Sequence, residues 1–449
     1  MREFLIKDSI FTFIYGFLYN LCILGPILGL VFLSGFFLRV GLFLVGLVLA
    51  LVIIHHFPQK KFQRRYLSIL YSGCLSLKIF IMSCLLILAS LIFFLLFNKV
   101  FLPHLLVGVL WTFLLEAILF WNGMIRVFLS SVQLGIKMRV IAVLCGWIPI
   151  VNILVLLRII DVVEKELSFE YQKDLLGDVA VESQLCQTKY PIVLVHGVFF
   201  RDIKYLNYWG RVPRFLKQRG AVIYYGNQES AQSVEYCGTQ LAERIKRLVE
   251  ETGCEKVNLI AHSKGGLDSR YAVAKGGASQ YVASLTTINT PHNGCIFANY
   301  LLKKAPKAFV NQVEKMYNSA FQKLGDQQPN FLNAVSDLSD EACKELNEIM
   351  PNQPDVYYQG VTSYVRKASS GKFPLNVFYP VVKHFDGRND GLVSVKSASY
   401  FDNTLVIDPP GRRGISHADM IDLNRENIDG FDVRAFYQEL IEGLKEKGF

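Results

Sequence analysis

A serine between an apolar run and a glycine pair is the residue of this sequence whose surroundings best suit covalent chemistry. Four mostly apolar residues, Val257–Ile260, lead into Ala261-His262-Ser263-Lys264-Gly265, and the segment that follows can continue as a helix. A strand entering such a turn holds its serine at strained backbone angles with the hydroxyl presented for attack, and small flanking residues let strand and helix pass closely. The pattern predicts Ser263 as a nucleophile; the alternative is an ordinary serine in a Gly-rich turn.

An earlier turn could supply hydrogen-bond donors to the same reaction. The apolar run Ile192–Val195 ends in His196-Gly197, after which the N–H of Val198 can turn toward the serine. The oxyanion formed by attack on an ester is held by one N–H from such a loop and by the N–H of the residue after the nucleophile. We therefore predict the backbone N–H groups of Val198 and Lys264 as the oxyanion donors.

When the nucleophile lies in a turn between a strand and a helix of this kind, the acid and the base of the triad follow it in chain order. Asp390 lies in a Gly-rich loop after the apolar run Val377–Lys383, which we interpret as a strand, and Asp386 is the reserve candidate. A plain turn or a calcium-like loop is the alternative for this segment, since Asp and Gly are turn formers. His417 comes late in the chain, in a loop before a C-terminal helix, so it is predicted as the base.

Other residues near these turns are expected to support or line the site rather than to react. His196 should fix the oxyanion loop, since the base of this arrangement comes last in sequence. His292 lies in a loop on the same rim, and His384 lies too close to the predicted acid. The supporting and rim residues are thus predicted to be His196, His262, Phe199 and His292.

Five stretches carry a family resemblance: Tyr190–Val198, Val257–Gly266, Thr287–Gly294, Asn389–Val393 and His417–Asp419. Together they resemble the bacterial triacylglycerol lipases of the true-lipase family, over about residues 189–449. The resemblance implies an α/β-hydrolase fold and a lipase activity. It also implies the same nucleophile, acid, base and oxyanion amides that the residues themselves suggest.

The resemblance further implies a structural Ca²⁺ near the catalytic histidine, held by an Asp two positions after it, which is Asp419 here. The side-chain amide expected four positions further on would fall at Leu423, which offers no oxygen, and Asp422 is out of register. Because Ca²⁺ needs several oxygen ligands, a calcium site at Asp419 is left open. The triad chemistry itself requires no cofactor, and the nine cysteines show no CxxC pair or zinc spacing.

The first 167 residues differ from the rest in composition. They are dominated by Leu, Ile, Phe and Val, and their basic residues outnumber the acidic ones by more than two to one. A positive charge that is concentrated beside apolar runs favours lipid headgroups as partners and argues against nucleic acid. We predict a membrane region of four or five helices over residues 1–158. Four runs of about the 20 residues that a bilayer core demands form two hairpins: Ile10–Phe32, Phe36–Ile54, Ser76–Phe97 and Phe101–Trp121.

The orientation in the membrane follows in part from the basic loops after the two hairpins. Under the positive-inside rule these loops and the N-terminus lie on the cytoplasmic side of the cell membrane. A fifth apolar run, Val140–Leu157, is short and contains Trp147, Pro149 and Asn152. If this run spans the bilayer, the following domain is extracytoplasmic, which we favour; if it is re-entrant, the domain stays inside.

Short apolar runs alternate with helical segments from Tyr190 onward, after a charged connector at residues 159–188. The alternation predicts a mostly parallel sheet with helices on both faces. Within it, residues 295–350 are predicted as a lid whose amphipathic helices lie on lipid or pack on the domain. The fold class is thus an α-helical transmembrane bundle followed by an α/β-hydrolase domain at 189–449. The predicted strands are Ile192–Val195, Ala221–Tyr225, Lys256–Ile260, Ser284–Ile288, Val377–Lys383 and Thr404–Ile407.

These features predict a membrane-anchored serine esterase or lipase that hydrolyses lipid esters, acylglycerol or phospholipid, through an acyl-enzyme. An acyltransferase or thioesterase with the same triad is one alternative, and a catalytically silent membrane-associated binding module is another. A transporter is disfavoured because few charges lie inside the apolar runs. Acyl chain length, headgroup and oligomeric state are left open.

Overall fold

The computed structural model describes residues 2–33, 35–57, 62, 64–97, 102–148, 150–198, 208–295 and 329–449, with isolated positions between 298 and 322. The chain forms two compact units, Met1–Asp178 and Val179–Phe449.

The first unit is helical, and four of its helices contain stretches long and apolar enough to cross a membrane: Asp8–Leu30, Phe36–His55, Arg65–Phe93 and Pro103–Ser130. Large apolar side chains cover their outer surface, and Phe37 and Phe113 are 88% and 73% exposed. Helices that are apolar on their outer faces suit hydrocarbon rather than water. The helices are α1 (Arg2–Phe32), α2 (Phe36–His55), α3 (Arg65–Phe97), α4 (Leu102–Ser130), α5 (Gly135–Cys145) and α6 (Val151–Ser183).

The fifth apolar run, Val140–Leu157, is divided between α5 and α6. The two helices are separated at a turn in which Ile150 has a φ of 68°. The run is not among the four spans found in the described residues. Helix α6 continues through most of the predicted connector at 159–188. The side of the membrane on which the second unit lies therefore stays a prediction.

Charged side chains inside the first unit have partners. Lys78 of α3 pairs with Asp8 of α1 and with Glu164 of α6. Glu116 of α4 accepts a hydrogen bond from the hydroxyl of Ser83 on α3. Because an unpaired charge is costly in a membrane interior, these contacts explain how a mostly apolar bundle accommodates its few charges.

The second unit is built on a six-stranded sheet with the strand order β2-β1-β3-β4-β5-β6, in which every neighbouring pair is parallel. The fold class predicted from the alternating pattern is therefore confirmed. The strands are β1 (Ile192–Val195), β2 (Ile223–Tyr225), β3 (Val257–His262), β4 (Val282–Ile288), β5 (Tyr357–Ser363) and β6 (Thr404–Ile407).

Two strand assignments differ from the sequence analysis. Val377–Lys383 was predicted as a strand, but it lies within a helix, Leu375–Asp386, whose buried residues Leu375, Tyr379 and Val382 recur at helical spacing. The prediction was wrong because an apolar run alone does not distinguish a strand from one face of a helix. Strand β5 was missed because its first three residues are only half-buried and its sequence lacks a continuous apolar run.

The helices cover both faces of the sheet. In β1, Ile192 and Leu194 belong to one core cluster, and Val193 and Val195 belong to another. Successive strand residues point to opposite faces, so a strand buried on both sides reads as a continuous apolar run. The helices of this unit are α7 (Val212–Lys217), α8 (Val234–Thr252), α9 (Lys264–Ala274), α10 (Phe331–Ser336), α11 (Asp340–Ile349), α12 (Leu375–Asp386), α13 (Val395–Ala398) and α14 (Val433–Glu446).

Candidate active site

Ser263 lies at the junction between β3, which ends at His262, and α9, which begins at Lys264. Its backbone has φ 56° and ψ −134°, an unfavourable conformation for a residue with a Cβ. Such strain is maintained only where the surrounding structure over-determines it, and functional sites are where it concentrates. The turn is the strained strand-to-helix junction that the sequence pattern predicts.

The glycines after Ser263 allow this junction to pack closely. A Cβ on Gly265 would lie 2.3 Å from the carbonyl oxygen of His196, and one on Gly266 would lie 2.1 Å from the hydroxyl oxygen of Thr290. Both contacts are shorter than van der Waals separation, so a larger residue at either position would push α9 away from the sheet. The first glycine of the pair thus brings the start of α9 against the loop that follows β1.

Asp390 and His417 form a hydrogen-bonded pair. The Nδ1 of His417 donates to Oδ2 of Asp390 at 2.6 Å. The other carboxylate oxygen accepts the backbone N–H groups of Leu392 at 2.9 Å and Val393 at 2.8 Å. Asp390 is fully buried. The reserve candidate, Asp386, instead accepts a hydrogen bond from the hydroxyl of Ser394 at 3.1 Å.

The ring of His417 lies beside the nucleophile turn. Its centroid is 4.4 Å from that of His262, the residue before Ser263. Both Ser263 and His417 are described, and no hydrogen bond joins the serine hydroxyl to the imidazole in this structure. Catalytic hydrogen bonds are often long without substrate and tighten in the reacting complex. The arrangement brings the predicted nucleophile, base and acid to one end of the sheet.

The loop after β1 is held against the same turn. A Cβ on Gly197 would lie 2.7 Å from the Cβ of Ser263, so only glycine fits there. The ring nitrogens of His196 lie 2.9 Å from the carbonyl oxygen of Gly197 and 3.0 Å from that of Gln228. His196 is fully buried, which places it as a support for this loop. The other predicted loop residue, Phe199, lies outside the described residues.

Val198 and Lys264 directly follow Gly197 and Ser263, the two residues that approach each other closely in the site. Within the part of the chain that the structure describes, neither of their backbone N–H groups donates to a protein acceptor. Two such donors beside a nucleophilic serine could bind a developing oxyanion. The side chain of Lys264 does not take part, because it is buried and its Nζ donates to Asp268 at 2.6 Å. Burial would lower the pKa of Lys264, but the neighbouring Asp268 carboxylate raises it above the ordinary value, so the lysine stays charged.

Tyr208 links the oxyanion loop to the nucleophile strand. Its hydroxyl oxygen accepts the N–H of Gly197 at 3.1 Å and lies 2.6 Å from Nδ1 of His262. Burial and the adjacent His417 hold the pKa of His262 well below its ordinary value, so this ring stays neutral. A tyrosine that accepts from one partner donates its own proton to the other. The sequence did not indicate this role of Tyr208, because the partners of its hydroxyl depend on tertiary structure.

We expect Tyr208→Phe to lower kcat by about 10- to 100-fold with little change in KM. The lost buried hydrogen bond costs about 1–3 kcal/mol, and the Tyr208 hydroxyl is the group that holds the oxyanion loop. Steady-state kinetics on a soluble short-chain ester measure this. Tyr358→Phe is the matched control, because the Tyr358 hydroxyl accepts the N–H of Gln353 at 3.1 Å near the start of β5, away from that loop. Equal losses in both variants would reduce the role of Tyr208 to general stability.

His292 was predicted at the rim, and the structure places it in the core. It is fully buried, its Nε2 is 3.0 Å from the hydroxyl of Thr287, and its ring packs against Tyr400 and Phe401. Burial and the Arg270 guanidinium lower its pKa well below the ordinary value. The prediction failed because proximity in sequence to a strand end does not reveal which loops later pack over it.

The carboxylate of Asp419, the candidate calcium ligand, is hydrogen-bonded to protein donors. It accepts two hydrogen bonds from Arg413, at 2.6 and 3.1 Å, and the N–H of Ser416 at 2.8 Å. The guanidinium also reaches Glu426 at 3.2 Å. The described residues contain no group of three or more His, Cys, Asp or Glu arranged to hold a metal ion. These residues do not fit a calcium site, because the Arg413 guanidinium already pairs with the carboxylates of Asp419 and Glu426.

Of the predicted lid, residues 295–350, the structure describes residue 295, residues 329–350 and isolated positions between 298 and 322. The C-terminal part of this segment forms α10 and α11. Phe331 and Val335 of α10 pack with Cys295 and Ala298 in a small apolar cluster. In this part of the segment the helices pack on the domain, which was the alternative to helices that lie on lipid.

Known proteins similar to this chain are hydrolases. Residues 190–381 match the protein family described as the alpha/beta hydrolase fold. A triacylglycerol lipase of Pseudarthrobacter phenanthrenivorans is 41% identical over 143 residues, which are 30% of this chain and 44% of that lipase. Triacylglycerol lipase 2 of Saccharomyces cerevisiae is 27% identical over 278 residues, 55% of this chain and 78% of that protein. The solved mature form of Bacillus licheniformis lipase BlEst2 has 23% identity and a TM-score of 0.43, over 57% of this chain and 92% of that one.

The two bacterial lipases that are 41% identical to this chain are matched over less than half of their length, 44% for the Pseudarthrobacter protein and 39% for that of Burkholderia plantarii. The residues that match the family model, 190–381, lie in the second unit.

Proposed function

We propose that this protein, an α/β-hydrolase related to the triacylglycerol lipases, is a membrane-anchored serine esterase that cleaves carboxylic esters of lipids. The observation that carries the proposal is the strained Ser263 turn with the Asp390–His417 pair at the same end of the sheet. A strained serine beside a hydrogen-bonded acid–histidine pair is an arrangement for nucleophilic attack on an acyl group.

The reaction begins when Oγ of Ser263 attacks the ester carbonyl carbon while Nε2 of His417 takes the hydroxyl proton. Asp390 holds the imidazole in the required tautomer and stabilises the imidazolium. The N–H groups of Val198 and Lys264 bind the oxyanion, a contribution of about 3–4 kcal/mol for one such donor. His417 then protonates the leaving alcohol, and an acyl-enzyme remains.

Water completes the cycle. His417 takes a proton from a water molecule as the water oxygen attacks the acyl carbon, and the second tetrahedral intermediate collapses to fatty acid while the imidazolium returns the proton to Oγ of Ser263. Transfer to an alcohol or hydrolysis of a thioester would use the same residues. Product analysis with glycerol or a thioester present separates these outcomes from ester hydrolysis.

A lipid substrate is supported by the helical region to which the hydrolase unit is joined. The chain joins it to four helices that are long and apolar enough to cross a membrane. An enzyme tethered in this way works beside acylglycerols or phospholipids rather than on esters dissolved in bulk water. We place the N-terminus in the cytoplasm, because the basic loops of the first unit should remain on that side.

The direct test is labelling of the full chain in membranes with a long-chain fluorophosphonate, together with release of fatty acid from acylglycerol and phospholipid. We expect covalent labelling at Ser263 and hydrolysis of at least one lipid ester. An impermeant fluorophosphonate on intact cells then reports the side of the membrane. A chain that takes no label in lysed membranes and releases no fatty acid would instead be a binding module.

We propose that the activity does not depend on calcium, because Arg413 neutralises Asp419. A chelator is expected to leave hydrolysis unchanged, and calcium should leave the Tm of the wild-type protein unchanged. In Arg413→Gln the carboxylates of Asp419 and Glu426 lose their shared cation, so calcium is expected to raise the Tm of this variant. Inactivation of the wild type by chelator and recovery with calcium would contradict this.

A further inference from the structure

Exposed apolar side chains of the hydrolase unit are concentrated in one segment. Among its described residues six large hydrophobic side chains are exposed, and three of them are Phe373, Val377 and Phe385, at 81%, 52% and 57%. The other three, Val222, Ile349 and Leu405, are distant from one another in sequence. Scattered exposed hydrophobes are ordinary, but a contiguous exposed group marks an interaction surface.

Helix α12 presents these residues on the face opposite to its buried one. Leu375, Tyr379 and Val382 are buried, whereas Val377 and Phe385 are two helical turns apart and lie on the outer face. Phe373 precedes the helix. We call Phe373, Val377 and Phe385 the outer apolar face.

The helix is fixed to the loop that holds the predicted acid. A Cβ on Gly391 would lie 2.8 Å from the Cβ of Leu375. The side-chain amide of Asn389 donates to the carbonyl of Tyr379 at 3.4 Å, and Asp386 accepts from Ser394. Any surface bound by α12 is therefore coupled directly to the loop of Asp390.

Basic side chains accompany the outer apolar face. Lys372 and Lys383 are exposed at its two ends, and Arg388 is exposed just beyond the helix. Asp386 lies within this segment and Glu426 pairs with Lys372 at 2.6 Å, so three basic side chains accompany two acidic ones and positive charge predominates. Aromatic residues surrounded by Lys and Arg are typical of helices that lie in the interface of a membrane with anionic lipids.

We propose that the outer apolar face of α12 docks on a bilayer surface that contains anionic lipids. The proposal rests on the proposed lipid-ester hydrolase and names the surface through which that site meets its substrate. Docking buries Phe373, Val377 and Phe385 among lipid chains, and Lys372, Lys383 and Arg388 contact the headgroups. It thereby holds the acid loop beside the layer in which lipid esters lie.

A fluorescence measurement tests the docking independently of catalysis. The full-length protein is reconstituted into vesicles of phosphatidylcholine and phosphatidylglycerol that carry brominated acyl chains. Phe385→Trp adds a reporter to the outer apolar face, and Leu405→Trp adds one at an equally exposed site on β6. After subtraction of the wild-type signal, we expect quenching of the tryptophan at 385 and little at 405. Equal quenching at both sites, or none at 385, would overturn the proposal.

A kinetic measurement tests the consequence of this docking for hydrolysis. With Phe373, Val377 and Phe385 each changed to serine, hydrolysis of a lipid ester in vesicles is expected to fall by about tenfold or more, because the apolar burial that holds the unit on lipid is lost. Hydrolysis of a soluble short-chain ester should not change, and Leu405→Ser should affect neither. Unchanged vesicle hydrolysis, or dimerisation through this face detected by light scattering, would refute docking on lipid. If the wild type cleaves no ester at all, the proposed function fails while the quenching result still decides the docking.

Discussion

Replacing Ser263 with alanine is expected to lower kcat for ester hydrolysis by about 10⁶-fold, the loss typical for removal of a serine nucleophile. In the proposed mechanism the hydroxyl oxygen of Ser263 forms the acyl-enzyme, so alanine removes the nucleophile itself. Fluorophosphonate labelling should disappear in the same variant. Initial rates on a chromogenic ester, measured with the full chain in detergent, give the magnitude.

The control for this substitution is Ser269→Ala in the same helix. Ser269 is buried, and its hydroxyl donates to the carbonyl of Gly265 at 2.7 Å, one turn earlier in α9. We expect this variant to keep labelling and activity within a few-fold of wild type. Retained turnover in Ser263→Ala, with labelling moved to another serine, would refute the assigned nucleophile.

Asp390→Asn is expected to lower kcat by about 10⁴-fold with the fold intact, as loss of the acid does in serine triads. The two N–H groups of Leu392 and Val393 would hold the amide oxygen where Oδ1 lies now. The amide NH₂ would then face Nδ1 of His417, which must accept rather than donate. The proton of the imidazole moves to Nε2, and that nitrogen can no longer take the proton of Ser263.

Asp386→Asn is the control that distinguishes Asp390 from the reserve candidate for the acid, Asp386. Asp386 is bonded to Ser394 rather than to His417, so its neutralisation should change kcat by no more than a few-fold. A pH–rate profile adds a second criterion, since loss of the acid partner changes the protonation of the base. A larger loss in Asp386→Asn than in Asp390→Asn would reverse the assignment.

The nucleophile turn was the most predictable part of this protein. Ser263, the apolar strand before it and the glycines after it are adjacent in the chain, and their backbone requirements are local. The positive φ of Ser263 and the close approach of Gly265 to His196 agree with that expectation. The two-sided burial of β1 likewise follows from a short, continuous apolar run.

The local sequence pattern was insufficient to assign secondary structure where an apolar segment could be buried on one face, as a helix, or on both faces, as a strand. The run Val377–Lys383 satisfied the composition of a strand, yet it packs through Leu375, Tyr379 and Val382 as a helix and leaves Phe385 exposed. The outer apolar face of α12 was therefore invisible in the sequence, because its members are separated by buried residues.

The sequence by itself determined a parallel α/β sheet, a strained serine turn, the order of candidate acid and base, and a separate apolar region with four or five candidate membrane helices. Only the tertiary structure decided that Asp390 rather than Asp386 meets His417, that Tyr208 joins Gly197 to His262, and that His292 is core. It also decided that Arg413 satisfies Asp419. The reason is physical: backbone conformation and hydrophobic periodicity are short-range properties, whereas the partner of a buried charge or hydroxyl depends on which distant segments pack together.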